Sequence, residues 1–410
     1  MSGQQHGLVV LDANDTIIRP AKLWCDLESA KEAEELSERF GFKLVPSFTI
    51  TKLLWLRRHE PDNYARIAKV MLPHDYINYI LTGKFTMEAS DASGTGIFDA
   101  IHRRWDADRI AAVDPSLATW LPTTILGPDD RAGTLKPEVA AELGLPSCGI
   151  VVGPGGGDNA MSALGVGAVD PGVWILSLGT SGTLFGPSET SILDPTGIVC
   201  PFCDATGGGL PLLCTINCSE VVGEVATLTG RSHEDLTEIA SEEEPGSSGV
   251  TYLPYLRGER TPCWPHATGS ILGLQAGCLR PGLLYRAAME GATFSLLAGF
   301  EQMKEMGGGV ELHELRVVGG GSKNKLWRQM IADAFQVKVR FPVEAETAAL
   351  GAALQGAAVA LGVPVREFAA RHQSQLLEQG VVNPNENNAA LYARAFEKFV
   401  HAGKLLFAVP

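Results

Sequence analysis

The 410-residue sequence contains no run of eighteen or more apolar residues, which excludes an ordinary membrane-spanning helix. Residues 1 to 10, MSGQQHGLVV, lack a basic stretch leading into an apolar core, so no secretory signal is read there. Positive charge is scarce as well: 33 Lys and Arg stand against 47 Asp and Glu, a formal net charge of -14. That balance argues against nucleic acid or an anionic membrane as partner, while leaving room for a locally basic pocket. No G-x-x-x-x-G-K-[ST] string occurs, and GGGS lacks the G-x-G-x-x-G offsets with a following acidic residue. A Walker-type NTPase and a dinucleotide-binding fold are therefore not expected. Internal repeats and low-complexity tails are also missing.

The composition, 45% hydrophobic and 20% charged, is that of a globular chain with two or three domains. A cytoplasmic location and small-molecule chemistry are expected. Organellar targeting stays open should the amino terminus be truncated. Among eight cysteines, Cys200, Cys203, Cys214 and Cys218 have spacings that a zinc knuckle could use. Alternation on either side of Gly207-Gly208-Gly209 instead predicts a β-hairpin carrying small apolar thiols.

The first block, through Trp24, reads as a hairpin around Asn14-Asp15. Helical spacing follows over 29–40, 62–72 and 104–113, with a short helix from His74 to Leu81 between Pro73 and Thr82-Gly83. Near Pro146 the pattern changes to short apolar runs ending in glycine clusters, VVGPGGGDN, WILSLGTSG and LRVVGGGSKN. Two domains are expected, 1–147 and 148–410. Helices should follow Gly157 and Gly321, whereas SLGTSG should be a hairpin tip. Long helices are predicted at about 283–306 and 346–362, the second rich in Ala and Gly and suited to close packing. An irregular segment and a terminal amphipathic helix complete the chain.

Asp158 is the single carboxylate of VVGPGGGDNAMSALGVGAV. It could cap the helix by accepting from the N–H groups two and three residues on, or face a ligand across the glycines. A carboxylate there has the basicity to take a proton from a bound ligand. Backbone N–H groups of Gly179, Thr180 and Ser181 at a hairpin tip can form an anion-binding concavity. Gly320 and Gly321 would let backbone pass close to a flat ligand, with Asn324 beside it.

Together these motifs resemble the FGGY family of carbohydrate kinases, and within it the xylulokinase branch, from Ser2 to about the end of the chain. SFTITKLLWLRRHE (47–60) is similar to the first family signature, with Thr49, Lys52, Trp55 and His59 at its defining positions. GSILGLQAGCLRPGLLYRAAME (269–290) resembles the second, except that Leu283 stands at a usually polar position. SGQQHG resembles the sugar-binding turn, GGGDN the segment of the catalytic aspartate, SLGTSG a phosphate loop, GERTP (258–262) a loop near the nucleotide, and GGGSKN the adenosine loop.

The resemblance implies an α/β fold of two actin-like (ribonuclease-H-like) domains that clamp sugar and ATP in a cleft, the first incomplete at its amino terminus. The family's Asp-x-Gly-Thr phosphate hairpin has no counterpart in the sequence. Asp158 is then the general base, and Gln5, His6 and Asn159 bind sugar together with it. Gly179, Thr180 and Ser181 serve the phosphates, and Gly320, Gly321 and Asn324 the adenosine. ATP and Mg2+ are implied, with no residue assigned to the metal, and a homodimer is expected. Trp24 and Asp26 match the cleft-lining pattern less fully, Glu28 standing where a basic residue is common. The implied reaction is D-xylulose to D-xylulose 5-phosphate. D-Ribulose, or a catalytically silent sugar- or nucleotide-binding role following from the missing hairpin, is the alternative.

Overall fold

The computed structural model describes residues 1–147, 149–307, 309–377 and 380–408. They gather into two compact units, each assembled from three stretches of chain. The first holds Met1–Asp170, Pro187–Pro211 and Glu346–Ser374; the second holds Pro171–Gly186, Leu212–Ala345 and Gln375–Pro410. The expected boundary between 147 and 148 lies inside the first unit, and residue 148 itself is outside the described residues.

The glycine-rich helix explains why the first unit reaches so far along the chain. Thr347–Leu361, where sequence predicts 346–362, packs on Asp158–Gly165 with backbone touching backbone. A Cβ added to Gly351 would lie 1.8 Å from the Met161 carbonyl oxygen, and one on Gly165 only 2.0 Å from that of Thr347. Only glycine permits such an approach.

Elsewhere in this unit Val9–Leu11 pairs antiparallel with Lys69–Met71, and Ser2–Gly3 pairs parallel with Gly156–Gly157. The Asn14-Asp15 turn forms, with Asp15 at φ 62° and a bridge between Leu11 and Ile17. Ala30–Phe40, Pro73–Thr82 and Ala107–Val113 are helical, close to the predicted spans. The predicted helix 62–72 is not formed. One turn, Pro61–Tyr64, is followed by the strand Lys69–Met71. Pro73 disfavours helical geometry at Leu72, which is extended (φ -90°, ψ 164°), and Val70 and Met71 are buried in strand pairing.

Five successive strands of a six-stranded sheet carry residues of the second unit, in the spatial order Gly209–Thr215, Gly182–Phe185, Gly172–Leu178, Leu312–Val318, Lys338–Arg340. The first two junctions are antiparallel and the last two parallel. Numbered along the chain among themselves, these five are 3-2-1-4-5, the ribonuclease-H-like arrangement. Pro281–Glu305 is apolar on nearly all sides and correspondingly buried; Leu283, at the departure from the family signature, is fully inside. Ser219–Thr229 and His233–Ser241 were not predicted, nor was Val365–His372 of the first unit, a two-turn helix in the segment expected to be irregular. The terminal helix is Glu386–Phe407, burying Tyr392, Phe399 and Gly403. Among the described residues no helix is long and apolar enough to cross a membrane.

Candidate active site

In the first unit Asp158 is the first residue of its helix, behind Gly157 at the N-cap in extended geometry. The carboxylate does not reach the N–H groups two and three residues on. Its Oδ1 instead accepts from the Asn159 N–H at 2.8 Å and from Asn159 Nδ2 at 3.0 Å. The simple capping role is therefore not what the side chain performs. Burial raises the Asp158 pKa to about 6; the Asn159 N–H opposes that shift and the nearby Asp91 charge adds to it.

Asn159 Nδ2 also donates to Gln5 Oε1 at 3.2 Å, and Gln5 Nε2 donates to the Ser90 carbonyl at 3.4 Å. Gln5, Asp158 and Asn159 thus form one polar group. His6 shares the turn of Gln5 but aims its ring elsewhere. Its Nδ1 lies 2.6 Å from the Gly94 carbonyl oxygen, and the ring packs against Phe48 and Phe202.

His6 has φ 68°, an unusual backbone geometry for a residue with a side chain. Two residues of the first signature hold it: Lys52 Nζ and Thr49 Oγ1 donate to the His6 carbonyl at 2.7 and 3.2 Å. Lys52 is fully buried and also donates to the Ser47 carbonyl at 2.6 Å. Burial lowers its pKa to about 7 against the opposing Asp26 and Cys25 charges, with Lys22 adding to the fall. Trp55 of the same signature lies beneath Lys22 Nζ, 3.6 Å from ring centroid to nitrogen, and Lys22 is paired with Glu28. Trp24 is exposed, and the Asp26 carboxylate accepts from the Leu23 N–H at 2.6 Å, a turn contact.

Sequence reasoning missed a buried charged cluster beside this group. His74 Nδ1 lies 2.5 Å from Asp91 Oδ2, and its Nε2 faces Asp75 Oδ1 at 3.1 Å. Glu88 accepts from the Ser90 hydroxyl and the Ser90 and Asp91 N–H groups. Burial pushes His74 down, but Asp75, Asp91 and Glu88 outweigh it and hold the ring above its usual pKa. One ligand atom each from His74, Asp75 and Asp91 falls within 4.8 Å of the others. Both ring nitrogens already face carboxylates, and these favour the protonated ring.

In the second unit Gly179, Thr180, Gly320, Gly321 and Asn324 line one cavity of about 850 Å3. Ser181 is outside this lining, and its carbonyl accepts the Gly179 N–H at 3.1 Å, so the tip closes partly on itself. Ser219, the first residue of the Ser219–Thr229 helix, pins the tip by donating its N–H and its hydroxyl to the Gly179 carbonyl at 3.0 and 2.6 Å. A Cβ on Gly321 would lie 2.8 Å from Leu178 Cβ, whereas one on Gly320 would meet nothing within 4 Å. Gly320 therefore presents bare backbone to the cavity. Asn324 caps the Lys325–Phe335 helix by accepting from the Trp327 N–H at 3.1 Å, and donates to Thr237 Oγ1 at 2.8 Å. His233 and Tyr285, 2.9 Å apart through Nδ1 and the phenol oxygen, also line the space. Lys323 and Lys325 give it local positive charge in an acidic chain.

Comparison with known proteins agrees with this chemistry. Residues 1–165 match the N-terminal domain and 175–360 the C-terminal domain of the FGGY family of carbohydrate kinases. A xylulose kinase of Haemophilus influenzae is 39% identical over 412 aligned residues, covering 98% of this chain and 83% of its own. One from Streptomyces coelicolor is 40% identical over 384, covering 90% and 76%. The crystal structure of a xyloylose kinase from Brucella ovis superposes with a TM-score of 0.91 at 33% identity, covering 99% and 84%. The sheet order, the glycine-lined cavity and these matches lead to one assignment: the chain belongs to the FGGY family of carbohydrate kinases.

Proposed function

We propose that this chain transfers the γ-phosphoryl group of ATP to a hydroxyl of D-xylulose, with Asp158 as the general base. The observation that carries the reading is the Asp158 carboxylate, half-buried at a helix N-terminus and grouped with Gln5 and Asn159, where burial raises its pKa to about 6. The curated relatives named as xylulose kinases support the choice of ketose.

Above pH 6 the Asp158 carboxylate is ionised and takes the proton of the attacking hydroxyl. Asn159 orients that carboxylate, Gln5 contributes polar contacts to the sugar, and His6, whose Nδ1 is engaged by the Gly94 carbonyl, meets the sugar with the other edge of its ring. The glycine backbone at 320 and 321 and the size of the second unit's cavity fit a nucleoside, with Asn324 beside it. The exposed Thr180 and Ser181 supply donors for phosphate, and Gly179, held through its N–H and its carbonyl, fixes the tip that presents them. Mg2+ with ATP brings charge neutralisation to the phosphoryl group. Glu234 and Glu238, the carboxylates lining this cavity, lie on one helix and form no cage, so Mg2+ is expected to enter with the phosphates. The protein is read as a cytoplasmic homodimer whose partners are small molecules.

The reading has a pH signature. Protonation of Asp158 removes the base, so kcat/KM for the ketose should fall tenfold per pH unit below about pH 6. A rate flat from pH 7 to 5 would assign the proton transfer to another group. His6→Ala should weaken ketose binding by about 1–3 kcal/mol, the cost of unpaired buried polar groups, and leave ATP binding unchanged. Calorimetry with each ligand checks this; equal weakening of both would move His6 away from the sugar.

A further inference from the structure

Gln355 is the one long polar side chain on the buried faces of the Thr347–Leu361 helix, TAALGAALQGAAVAL, and is 1% exposed. A buried amide without partners is costly, and leucine or methionine would fill the same space without that cost. The Gln355 amide is spent on a single residue two hundred positions earlier. Its Oε1 accepts the Gly155 N–H at 2.8 Å, and its Nε2 donates to the Gly155 carbonyl at 3.0 Å. The side chain takes the place of a neighbouring strand for Gly155, three residues before Asp158.

The rest of the loop leaves little freedom. Gly155 has φ 80°, and a Cβ there would lie 2.8 Å from His74 Cδ2 and from the Met1 carbonyl oxygen. Asn78 Nδ2 donates to the Pro154 carbonyl at 2.7 Å, the Gly156 N–H donates to the Met1 carbonyl at 3.1 Å, and the Gly157 N–H reaches Ser90 Oγ at 3.4 Å. Downstream, the Gly165 and Gly351 backbones abut, and the Ser162 and Thr347 hydroxyls lie 2.6 Å apart. The Thr347–Leu361 helix therefore grips both the body of the Asp158 helix and the loop that leads into it.

We propose that Gln355 is a positioning residue for phosphoryl transfer: its two-point grip on the Gly155 backbone sets the height and direction of the Asp158 carboxylate. The proposal rests on Asp158 being the base. Losing the grip shifts the carboxylate without removing it, so the proton-transfer step slows while the groups that bind sugar and nucleotide remain.

Three full-length variants test this together in a sugar-dependent ADP-release assay: Gln355→Leu, Gln355→Glu and Asp158→Asn. Gln355→Leu should lose on the order of ten- to a hundredfold in kcat, the scale of a small misplacement of a catalytic group, with KM for ketose and ATP within twofold. A glutamic acid buried at this site stays protonated and can both donate and accept, so Gln355→Glu should recover most of the rate. Wild-type kcat in Gln355→Leu overturns the proposal, as does a rise in either KM with kcat unchanged. Turnover retained in Asp158→Asn overturns the base assignment and, with it, this role for Gln355. Should the leucine variant fail to fold, hydrogen exchange on the wild-type protein decides: the Gly155 amide must exchange as slowly as the core strand Gly172–Leu178. Exchange at the rate of exposed loops would show that the grip is not maintained in solution.

Discussion

Asp158→Asn should reduce sugar-dependent phosphoryl transfer by about 10²- to 10⁴-fold, the usual contribution of a positioned general base, while leaving the protein at least as stable. The amide keeps an oxygen to accept from the Asn159 N–H but has no basicity, so binding survives and proton removal does not. The stability half follows from the direction of the pKa shift. In the unfolded chain the carboxylate ionises near its ordinary value, and in the folded protein only near pH 6. Between those values the unfolded state sheds its proton first, so the ionised carboxylate costs the fold stability that is progressively lost as pH rises to 6. A shift of this size corresponds to about 1–3 kcal/mol, which the neutral amide avoids at pH 7 to 8. An inactive variant with an unchanged or raised Tm is the expected pair of results. An inactive variant with a strongly lowered Tm would instead make Asp158 a structural residue.

Gly351→Val should have the largest effect on stability. Its Cβ would be placed 1.8 Å from the Met161 carbonyl oxygen, inside the backbone contact that joins the Thr347–Leu361 and Asp158–Gly165 helices. Neither backbone can yield as a side-chain tip would, so the helices must separate, at a cost of about 3 kcal/mol or more. Gly356→Ala in the same helix is the control. A Cβ there meets nothing within 4 Å, and the gain in helix propensity is about 0.5–1 kcal/mol. Urea unfolding of the two variants should move the midpoint in opposite directions. Equal midpoints would show that the glycine contact between the helices carries no stability.

Much of the candidate site could be proposed from sequence because glycine and Asp act locally. The GGGDN segment, the tip at SLGTSG and the GGGSKN turn each announce a strand end and a tight backbone approach within a few residues. The partners of these segments are another matter. Gln355 grips Gly155, Lys52 holds the carbonyl of His6, and His74 sits between Asp75 and Asp91. The contacts to Gly155 and His6 join residues far apart in sequence, and no periodicity reports them. One signal was present: a lone glutamine on the buried side of an Ala/Gly helix requires a partner. Residues 62–72 misled because helical spacing and a buried strand can share the same apolar positions, and Pro73 with strand pairing decided between them. The discontinuous first unit was hidden for a similar reason, since the packing of residues 346–374 with 158–165 depends on glycines that read singly as turns or weak helix formers.

The most direct test of the account measures ADP release by this chain with ATP and Mg2+, with no sugar, D-xylulose, D-ribulose or glycerol. The account predicts ADP release that depends on D-xylulose, is fastest with that ketose, and yields one phosphorylated sugar per ADP. Equal rates with and without sugar, or a preference for glycerol, would contradict it.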